Sequence, residues 1–183
     1  RLNKKEMKLK RAEGKKVFET EWFSLEAIHH PEISSKPYYR ILSNNAVIVL
    51  ARTKQGKFVL IRQYRPALDE MTIEFPAGYV EEDEDPMDAA KRELFEESGY
   101  NCEGAKLIGK FNISPSRINS SLFGFFCDKV EAAAKRIKND TKTELILVSE
   151  KELTDMMTRN GCSDLASISV FNIAKMKGFL QKI

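Results

Sequence analysis

The sequence predicts one folded domain that mixes strands and helices. Runs of apolar and β-branched residues are bounded by turn residues, as in the strands of a sheet, and a later segment carries both start and stop signals of a helix. The chain has 183 residues, 42% of them hydrophobic, which is enough for one substantial core. Because strands and helices are interspersed, the fold class is α/β or α+β.

The predicted strands lie mainly in the first two thirds of the chain. In order they are residues 21–28, 38–42, 47–51, 58–64, 71–75, 106–111, 121–127 and 144–148. The runs at 47–51 and 58–64 are separated by a short turn that contains Gly56, so we interpret them as a hairpin. The polar segment 113–120 is expected to form a loop that closes over a ligand.

Helices are predicted at four places. The segment 129–137 has helical composition, and a capping box of Ser149 and Glu152 opens a helix that ends at about Arg159. A last helix at roughly 163–180 has an apolar stripe facing the core. The best-bounded helix follows Asp85, which can cap the first turn; Pro86 suits the first helical position, and Gly99 suits a left-handed end.

The helix after Asp85 carries three carboxylates on one face. Glu93, Glu96 and Glu97 have i, i+3, i+4 spacing, and like charges at this spacing repel each other. A hard divalent cation would remove the conflict, and carboxylate oxygens suit Mg²⁺ or Mn²⁺ rather than zinc. Glu84 and Arg92 have opposite charges and are expected to tie the preceding loop to the helix. The alternative is a solvated acidic helix.

Charge and cysteine content set limits on the protein's class. Residues 1–16 contain eight Lys or Arg and two Glu, so they contribute +6 to a net charge of +3. We expect them to form a basic, flexible tail, or a helix on the surface, rather than a nucleic-acid-binding or targeting segment.

Three cysteines without CxxC spacing argue against a disulfide framework or a zinc site and favour a reducing compartment. No apolar run is long enough to cross a bilayer.

The acidic helix and the loop before it resemble the Nudix box. The anchors are Gly78, five residues, Glu84, seven residues, and then the segment Arg92-Glu93-Leu94-Phe95-Glu96-Glu97-Ser98-Gly99-Tyr100. Outside the box, the segments 21–26, 63–66 and 74–78 resemble the ADP-ribose pyrophosphatase branch of the Nudix hydrolases. The resemblance covers roughly residues 17–181 and is strongest between 58 and 100.

The resemblance implies a fold, a division of the chain and a metal site. The expected fold is a Nudix-type α/β/α sandwich with a mixed sheet, plus an N-terminal antiparallel sheet that is used in dimerisation. The expected division is a tail at 1–16, N-terminal strands at 17–45 and a Nudix hydrolase domain at 46–183. The implied metal ligands are Glu93, Glu96, Glu97 and the carbonyl of Ala77. The implied structural residues are Gly78, Glu84, Arg92 and Gly99.

The resemblance also implies substrate contacts. Arg40 and Arg65 match arginines that contact substrate phosphates, and Trp22 matches an aromatic that stacks on adenine. The alternatives are a core or interface aromatic for Trp22 and an ordinary surface arginine for Arg40. The loop at 114–116 reads Ser-Pro-Ser where the family has Ser-Pro-Gly, and it is followed by Arg117, a further candidate substrate contact.

The position of the family's catalytic glutamate is occupied by a different residue. Thr141 stands there, which leaves Asp140 and Glu144 as candidate bases beside Glu96 and Glu97. The implied function is Mg²⁺-dependent hydrolysis of the pyrophosphate of ADP-ribose or a related nucleoside diphosphate sugar. Two alternatives stay open: hydrolysis of another nucleoside diphosphate derivative, such as a dinucleotide or an oxidised nucleotide, and a non-catalytic scaffold that binds nucleotide or RNA. A cytoplasmic homodimer is expected, with no membrane or nucleic-acid partner.

Overall fold

A computed structural model describes residues 14–30, 34–133 and 143–180. In chain order the strands are β1 (Gly14–Glu19), β2 (Phe23–Ile28), β3 (Tyr38–Ser43), β4 (Ala46–Thr53), β5 (Phe58–Arg65), β6 (Glu70–Glu74), β7 (Ala77–Tyr79), β8 (Tyr100–Asn101), β9 (Ala105–Asn112), β10 (Ile118–Asn119), β11 (Ser121–Ala132) and β12 (Glu144–Val148). The helices are α1 (Pro86–Ser98), α2 (Glu150–Thr158) and α3 (Leu165–Met176).

The chain divides into two compact units. One unit comprises residues 1–43 and 114–119, and the other comprises residues 44–113 and 120–183. In the first unit the strand order is β1-β2-β3-β10. The first three strands are antiparallel, and β10 runs parallel to β3 with Ile118 opposite Ile41. The expected N-terminal antiparallel sheet is therefore present, with one parallel strand added from the loop at 114–119.

The second unit is built around a mixed sheet. Its main strand order is β12-β5-β4-β11-β8, with β6 paired to β5, β7 to β4 and β9 to β11. Strands β4 and β11 are parallel, whereas the hairpin of β4 and β5 is antiparallel, as the sequence predicts. Both neighbours of β4 are strands of this sheet, so β4 lies inside the sheet, and its residues 47–51 and Thr53 are buried.

Helices cover both faces of this mixed sheet. Successive residues of β4 point to opposite faces, so Ile48 lies in one apolar cluster and Val49 in the other. The cluster of Ile48 includes Leu153 of α2 and Phe171 of α3. The cluster of Val49 includes Leu94 of α1. This arrangement is the expected α/β/α sandwich; of the three helices that the structure describes, α1 covers one face and α2 and α3 cover the other.

Three predicted elements differ from the structure. The helix predicted at 129–137 is wrong over its first residues, because β11 continues to Ala132 and pairs with β8; residues 134–137 lie outside the described part of the chain. The last helix is shorter than predicted and is capped by Asp164. Strand β1 starts at Gly14, inside the predicted tail, whose first thirteen residues are also outside the described ranges.

The cysteine prediction is also wrong. Cys102 and Cys127 form a disulfide with their Cα atoms 5.9 Å apart, and Cys162 is a buried free thiol. The pairing arises because β9 and β11 are neighbours: Ala105, the first residue of β9, lies opposite Cys127 in the middle of β11, so Cys102, three residues before Ala105, comes close to Cys127. The preference for a reducing compartment therefore loses its support from the cysteines. Among the helices of the described residues, none has the length and hydrophobicity needed to span a membrane.

Candidate functional site

Helix α1 is fixed at both ends and along one face. The Asp85 carboxylate accepts a hydrogen bond from the Met87 backbone N–H at 2.8 Å, and Gly99 has a left-handed φ of 75°. These two caps confirm the predicted helix boundaries. Ala89, Ala90 and Leu94 are completely buried against the sheet. The caps and the buried face fix the position of α1 along its axis and its rotation about that axis. The carboxylates of the opposite face, Glu93, Glu96 and Glu97, are thereby held beside β7.

Arg92 ties the acidic loop to this helix. Its guanidinium makes two hydrogen bonds to the Glu84 carboxylate, at 2.8 and 2.9 Å, and it also donates to the Tyr79 carbonyl at 2.9 Å. The remaining nitrogen donates to Glu93 at 2.7 Å and to Glu96 at 3.4 Å. The hydrogen bonds from Arg92 lower the pKa of Glu84 to about 2. The expected salt bridge is thus present, and all five guanidinium N–H groups have an acceptor.

Gly78 lies where the Glu93 side chain approaches β7. A Cβ atom built on Gly78 would lie closer than 3.0 Å to the carboxyl carbon and both carboxylate oxygens of Glu93. Only glycine therefore leaves the Glu93 carboxylate in its present position. This close approach accounts for the box glycine without any need for an unusual backbone conformation.

Glu97 is the most perturbed carboxyl group in the described part of α1. Its Oε2 accepts a hydrogen bond from the Ala77 backbone N–H at 2.9 Å. Burial, reinforced by the nearby Glu93 charge, raises the pKa of Glu97 to about 7. Burial likewise raises the pKa of Glu93. Two partly buried carboxyl groups thus hold protons more tightly than they would in water, which is the expected state of a cation site without its cation.

The carboxylates of α1 are suitable metal ligands, but in this structure their oxygen atoms do not point to one common position. Within the described ranges, no group of three or more His, Cys, Asp or Glu side chains is arranged to hold a metal ion. Glu93 is turned towards Arg92, and the Glu96 side chain is 51% exposed. The donor set of Glu93, Glu97 and the neighbouring Glu96 consists of oxygen atoms only, which fits Mg²⁺ or Mn²⁺.

Arg65 lies at the end of β5 on the same side of the sheet as α1. Its Nε donates to Oε1 of Glu74 at 2.9 Å and its Nη2 donates to Oε2, so the pair is bidentate. Thr72 supports the same carboxylate through a hydroxyl that donates at 2.6 Å. Burial acts to raise the pKa of Glu74, but the hydrogen bonds from Arg65 and Thr72 outweigh it and leave that pKa lowered. Glu74 is therefore an ionised, buried partner of Arg65.

The other predicted substrate contacts belong to the first unit. Arg40 is held by two hydrogen bonds to Glu26, and the Arg117 guanidinium lies 4.4 Å from the centre of the Tyr38 ring. Arg40 and Arg117 line one cavity of about 250 Å³. Trp22 lies just before β2 and is 65% exposed, so it is not a core residue of its unit.

Of the two candidate bases, Glu144 and Asp140, the structure describes only Glu144. Glu144 is exposed, accepts a hydrogen bond from Arg62 at 3.4 Å and is paired with Arg62 across the two strands. Because side chains alternate along β5, Arg62 and Glu144 point to the face of α2 and α3, whereas Arg65 points to the face of α1. The structure does not bring Glu144 together with Glu97. Asp140 and Thr141 lie outside the described residues.

The sequence reasoning assigned no role to Glu74, which the structure shows to be the partner of Arg65. The signal was present, because Glu74 is a charged residue at the end of a strand directly before Phe75, which is completely buried. A carboxylate in such a place needs a cationic partner, and Arg65 is one of the arginines in the preceding strand. The pairing itself depends on the register of β5 and β6, which the sequence does not reveal.

An α/β/α sandwich with a loop–helix segment of this kind defines a Nudix domain. The family model described as NUDIX domain matches residues 42–161, and the chain belongs to this family. It is 46% identical over 70 residues to the methanol dehydrogenase activator of Bacillus methanolicus, with 38% of each chain covered. It is 33% identical over 112 residues to the ADP-ribose pyrophosphatase of Bacillus subtilis (strain 168), with 61% of this chain and 60% of that protein covered.

The fold is also found among solved structures. A crystal structure of ADP compounds hydrolase superposes with a TM-score of 0.78 and covers 93% of this chain and 97% of that chain. The sequence identity is 18%, so this likeness concerns the fold. The matches to the two Bacillus relatives span 38% and 60% of their lengths. Their names therefore inform the function proposed below without establishing it.

Proposed function

We propose that this protein is a divalent-metal-dependent diphosphatase that hydrolyses ADP-ribose or a related nucleoside diphosphate sugar. The observation that carries the proposal is the pair of partly buried carboxyl groups on α1, Glu93 and Glu97, in a chain of the Nudix family. A structural helix gains nothing from two such groups, because burial disfavours their charged forms. The ADP-ribose pyrophosphatase of Bacillus subtilis directs the choice of substrate class.

The proposed metal ligands are Glu93, Glu97, Glu96 and the carbonyl of Ala77, with Mg²⁺ as the cofactor and Mn²⁺ as a substitute. A bound Mg²⁺ would neutralise phosphate charge and lower the pKa of an attacking water. Arg92 limits the orientations open to Glu93, and the Ala77 N–H does the same for Glu97. In the reaction, the water oxygen bonds to one phosphorus atom and the bridging P–O bond breaks. The products are AMP and ribose 5-phosphate.

The proposed substrate contacts are three arginines and one aromatic residue. Arg65 is proposed to donate to the diphosphate; for Arg40, Arg117 and Trp22, substrate binding stays a prediction from the sequence. A guanidinium matches phosphate oxygens, and an exposed indole ring matches the face of a purine. The proton acceptor, Asp140 or Glu144, stays a prediction, which comparison of Asp140→Asn with Glu144→Gln would test.

Product analysis on a panel of substrates tests this function. Purified protein with Mg²⁺ is incubated with ADP-ribose, UDP- and GDP-sugars, NADH, diadenosine polyphosphates and 8-oxo-dGTP. Glu97→Gln is measured in parallel, and Glu82→Gln, the same change on an exposed carboxylate of the acidic loop, is the matched control. Release of AMP and ribose 5-phosphate from ADP-ribose, lost in Glu97→Gln and kept in Glu82→Gln, is the expected result.

Three other results would change the proposal. Cleavage of a different member of the panel would retain the metal site and replace the substrate. No cleavage, together with salt-sensitive binding of RNA or nucleotide, would favour the non-catalytic scaffold. Activity in Glu97→Gln equal to that of the unmodified protein would overturn the metal-site assignment.

We further propose that the protein is a homodimer formed through the N-terminal sheet. The first unit exposes large apolar side chains on its strands, among them Phe18 on β1 and Phe23 on β2, whose ring centroids are 6.3 Å apart. Exposed aromatic groups of this size are typical of surfaces that are covered by a partner. Light scattering after size-exclusion chromatography measures the oligomeric state directly. A cytoplasmic location stays a prediction.

A further inference from the structure

The segment 75–77, where β6 passes into β7, carries the backbone part of the proposed metal site. Its last residue, Ala77, is the first residue of β7 and supplies a carbonyl to the proposed metal ligands. The Ala77 N–H donates a hydrogen bond to the Glu97 carboxylate at 2.9 Å. The position of this segment therefore decides where two of the proposed ligands lie.

Ser167 of α3 holds the first residue of segment 75–77. The Phe75 backbone N–H donates a hydrogen bond to Oγ of Ser167 at 3.0 Å, and both residues are completely buried. The ring of Phe58 makes edge-to-face contacts with Phe75 and with Phe171, which lies one turn after Ser167 on α3. Helix α3 thus positions Phe75 through its backbone and through its side chain.

The start of α3 fixes the place of the Ser167 hydroxyl. Asp164 caps this helix, and its carboxylate accepts a hydrogen bond from the Ser167 N–H at 2.7 Å. A buried hydroxyl in a helix costs stability unless it has a partner, and alanine is the better helix former at such a position. The Phe75 N–H is that partner, and it explains why a polar residue lies here in the core.

Pro76 makes segment 75–77 stiff. Its ring fixes its own φ and restricts Phe75 to extended conformations. Its carbonyl accepts a hydrogen bond from the Val49 N–H of β4 at 2.8 Å. A displacement of Phe75 is therefore passed on to Ala77 instead of being absorbed by rotation between them.

We propose that Ser167 is a positioning residue for the metal site, although it lies on the face of the sheet opposite to α1. Its hydroxyl holds the Phe75 N–H, and the stiff segment 75–77 then sets the direction of the Ala77 carbonyl. The same segment places the Ala77 N–H that orients Glu97. This inference rests on the proposed diphosphatase function, and it gives α3 a role in metal binding in addition to its packing.

Titration of the purified protein with Mn²⁺, followed by the electron paramagnetic resonance of the free ion, tests the inference without turnover. Ser167→Ala should weaken Mn²⁺ binding about 10- to 100-fold, the range for loss of a partner that orients a metal ligand. Ser167→Cys keeps nearly the same shape and offers a weaker acceptor, so its loss should be intermediate. Ser167→Cys also replaces the alanine variant if that variant does not fold.

Val170→Ala is the matched control. Val170 is completely buried on the same helix, but it packs against Gly124 of β11. Val170→Ala should lower Tm by an amount similar to that of Ser167→Ala and keep the Mn²⁺ affinity within about twofold. Turnover of ADP-ribose by Ser167→Ala should fall at low Mg²⁺ and recover at saturating Mg²⁺, because the site is weakened but not removed.

The failure of this inference differs from failure of the proposed function. Unchanged Mn²⁺ affinity in Ser167→Ala, or an equal loss of affinity in Val170→Ala, would overturn the inference while the metal site and the diphosphatase activity remained. If the unmodified protein binds neither Mn²⁺ nor Mg²⁺ and cleaves no member of the substrate panel, the proposed function and the inference are both overturned.

Discussion

Glu97→Gln should stabilise the metal-free protein while it abolishes the activity. Burial disfavours the charged form of Glu97, so in the absence of a cation this carboxylate opposes folding at neutral and alkaline pH. Glutamine has nearly the same shape and cannot ionise. It can still accept the hydrogen bond from the Ala77 N–H through its amide oxygen.

The size of the effect follows from the pKa of Glu97. That pKa rises from 4.5 to about 7 on folding, so between these values the native state binds more protons than the unfolded state. The free energy of unfolding therefore falls as the pH rises through this window, and the full cost above pH 7 is about 3 kcal/mol. Below pH 4.5 Glu97 is protonated in both states, and the cost disappears.

Urea unfolding with EDTA at pH 5, 6, 7 and 8 measures this effect. The unmodified protein should lose stability across the series relative to Glu97→Gln, whereas Glu82→Gln should follow the unmodified protein. Adding Mg²⁺ at pH 8 should stabilise the unmodified protein and not Glu97→Gln, because the cation binds the folded carboxylates. If the free energy of unfolding had the same pH dependence in the unmodified protein and in Glu97→Gln, the interpretation of Glu97 as a buried carboxyl group of a cation site would be refuted.

Three further predictions test other parts of the structure. Gly78→Ala should reduce Mg²⁺ affinity about 10- to 100-fold in titrations with little change in urea stability, because its Cβ displaces the Glu93 carboxylate. Cys102→Ser should lower Tm by about 6–12 °C, since opening a disulfide across 25 residues costs about 3 kcal/mol; a reductant should lower the Tm of the unmodified protein equally and that of the variant not at all. If the unmodified protein is a dimer, Phe18→Lys should convert it to a monomer in light scattering. If the unmodified protein is a monomer, the exposed Phe18 contacts no partner, and Phe18→Lys should leave its Tm unchanged.

The parts of the fold that the sequence predicted correctly depend on neighbouring residues. The boundaries of α1 follow from Asp85 and Gly99, which act on the first and last turns of their own helix. The capping box of Ser149 is likewise contained within four residues. The Nudix box was recognisable for the same reason, because its anchors lie in one continuous segment.

The parts that the sequence did not reveal depend on pairing between distant segments. The residues 129–132 have helical composition, but Glu131 and Ala132 pair with Asn101 and Tyr100, and the sheet overrides the local preference. The disulfide has the same origin, since the register of β9 and β11 brings Cys102 to Cys127. Neither pairing has a signal within one segment of the sequence.

Arg65 and Arg92, both in the second unit, illustrate why the role of a side chain cannot be assigned from the sequence alone. Both Arg65 and Arg92 lie in recognisable motifs, and both are paired with a glutamate. The number of donors that find no acceptor among the described residues separates them: Arg92 has none, and Arg65 has three. A guanidinium that is fully paired within the protein can position its neighbours but cannot bind a phosphate without first breaking those bonds. Arg65 could bind a phosphate and keep its bidentate pair with Glu74, which is why Arg65 and not Arg92 is the arginine proposed to contact the substrate.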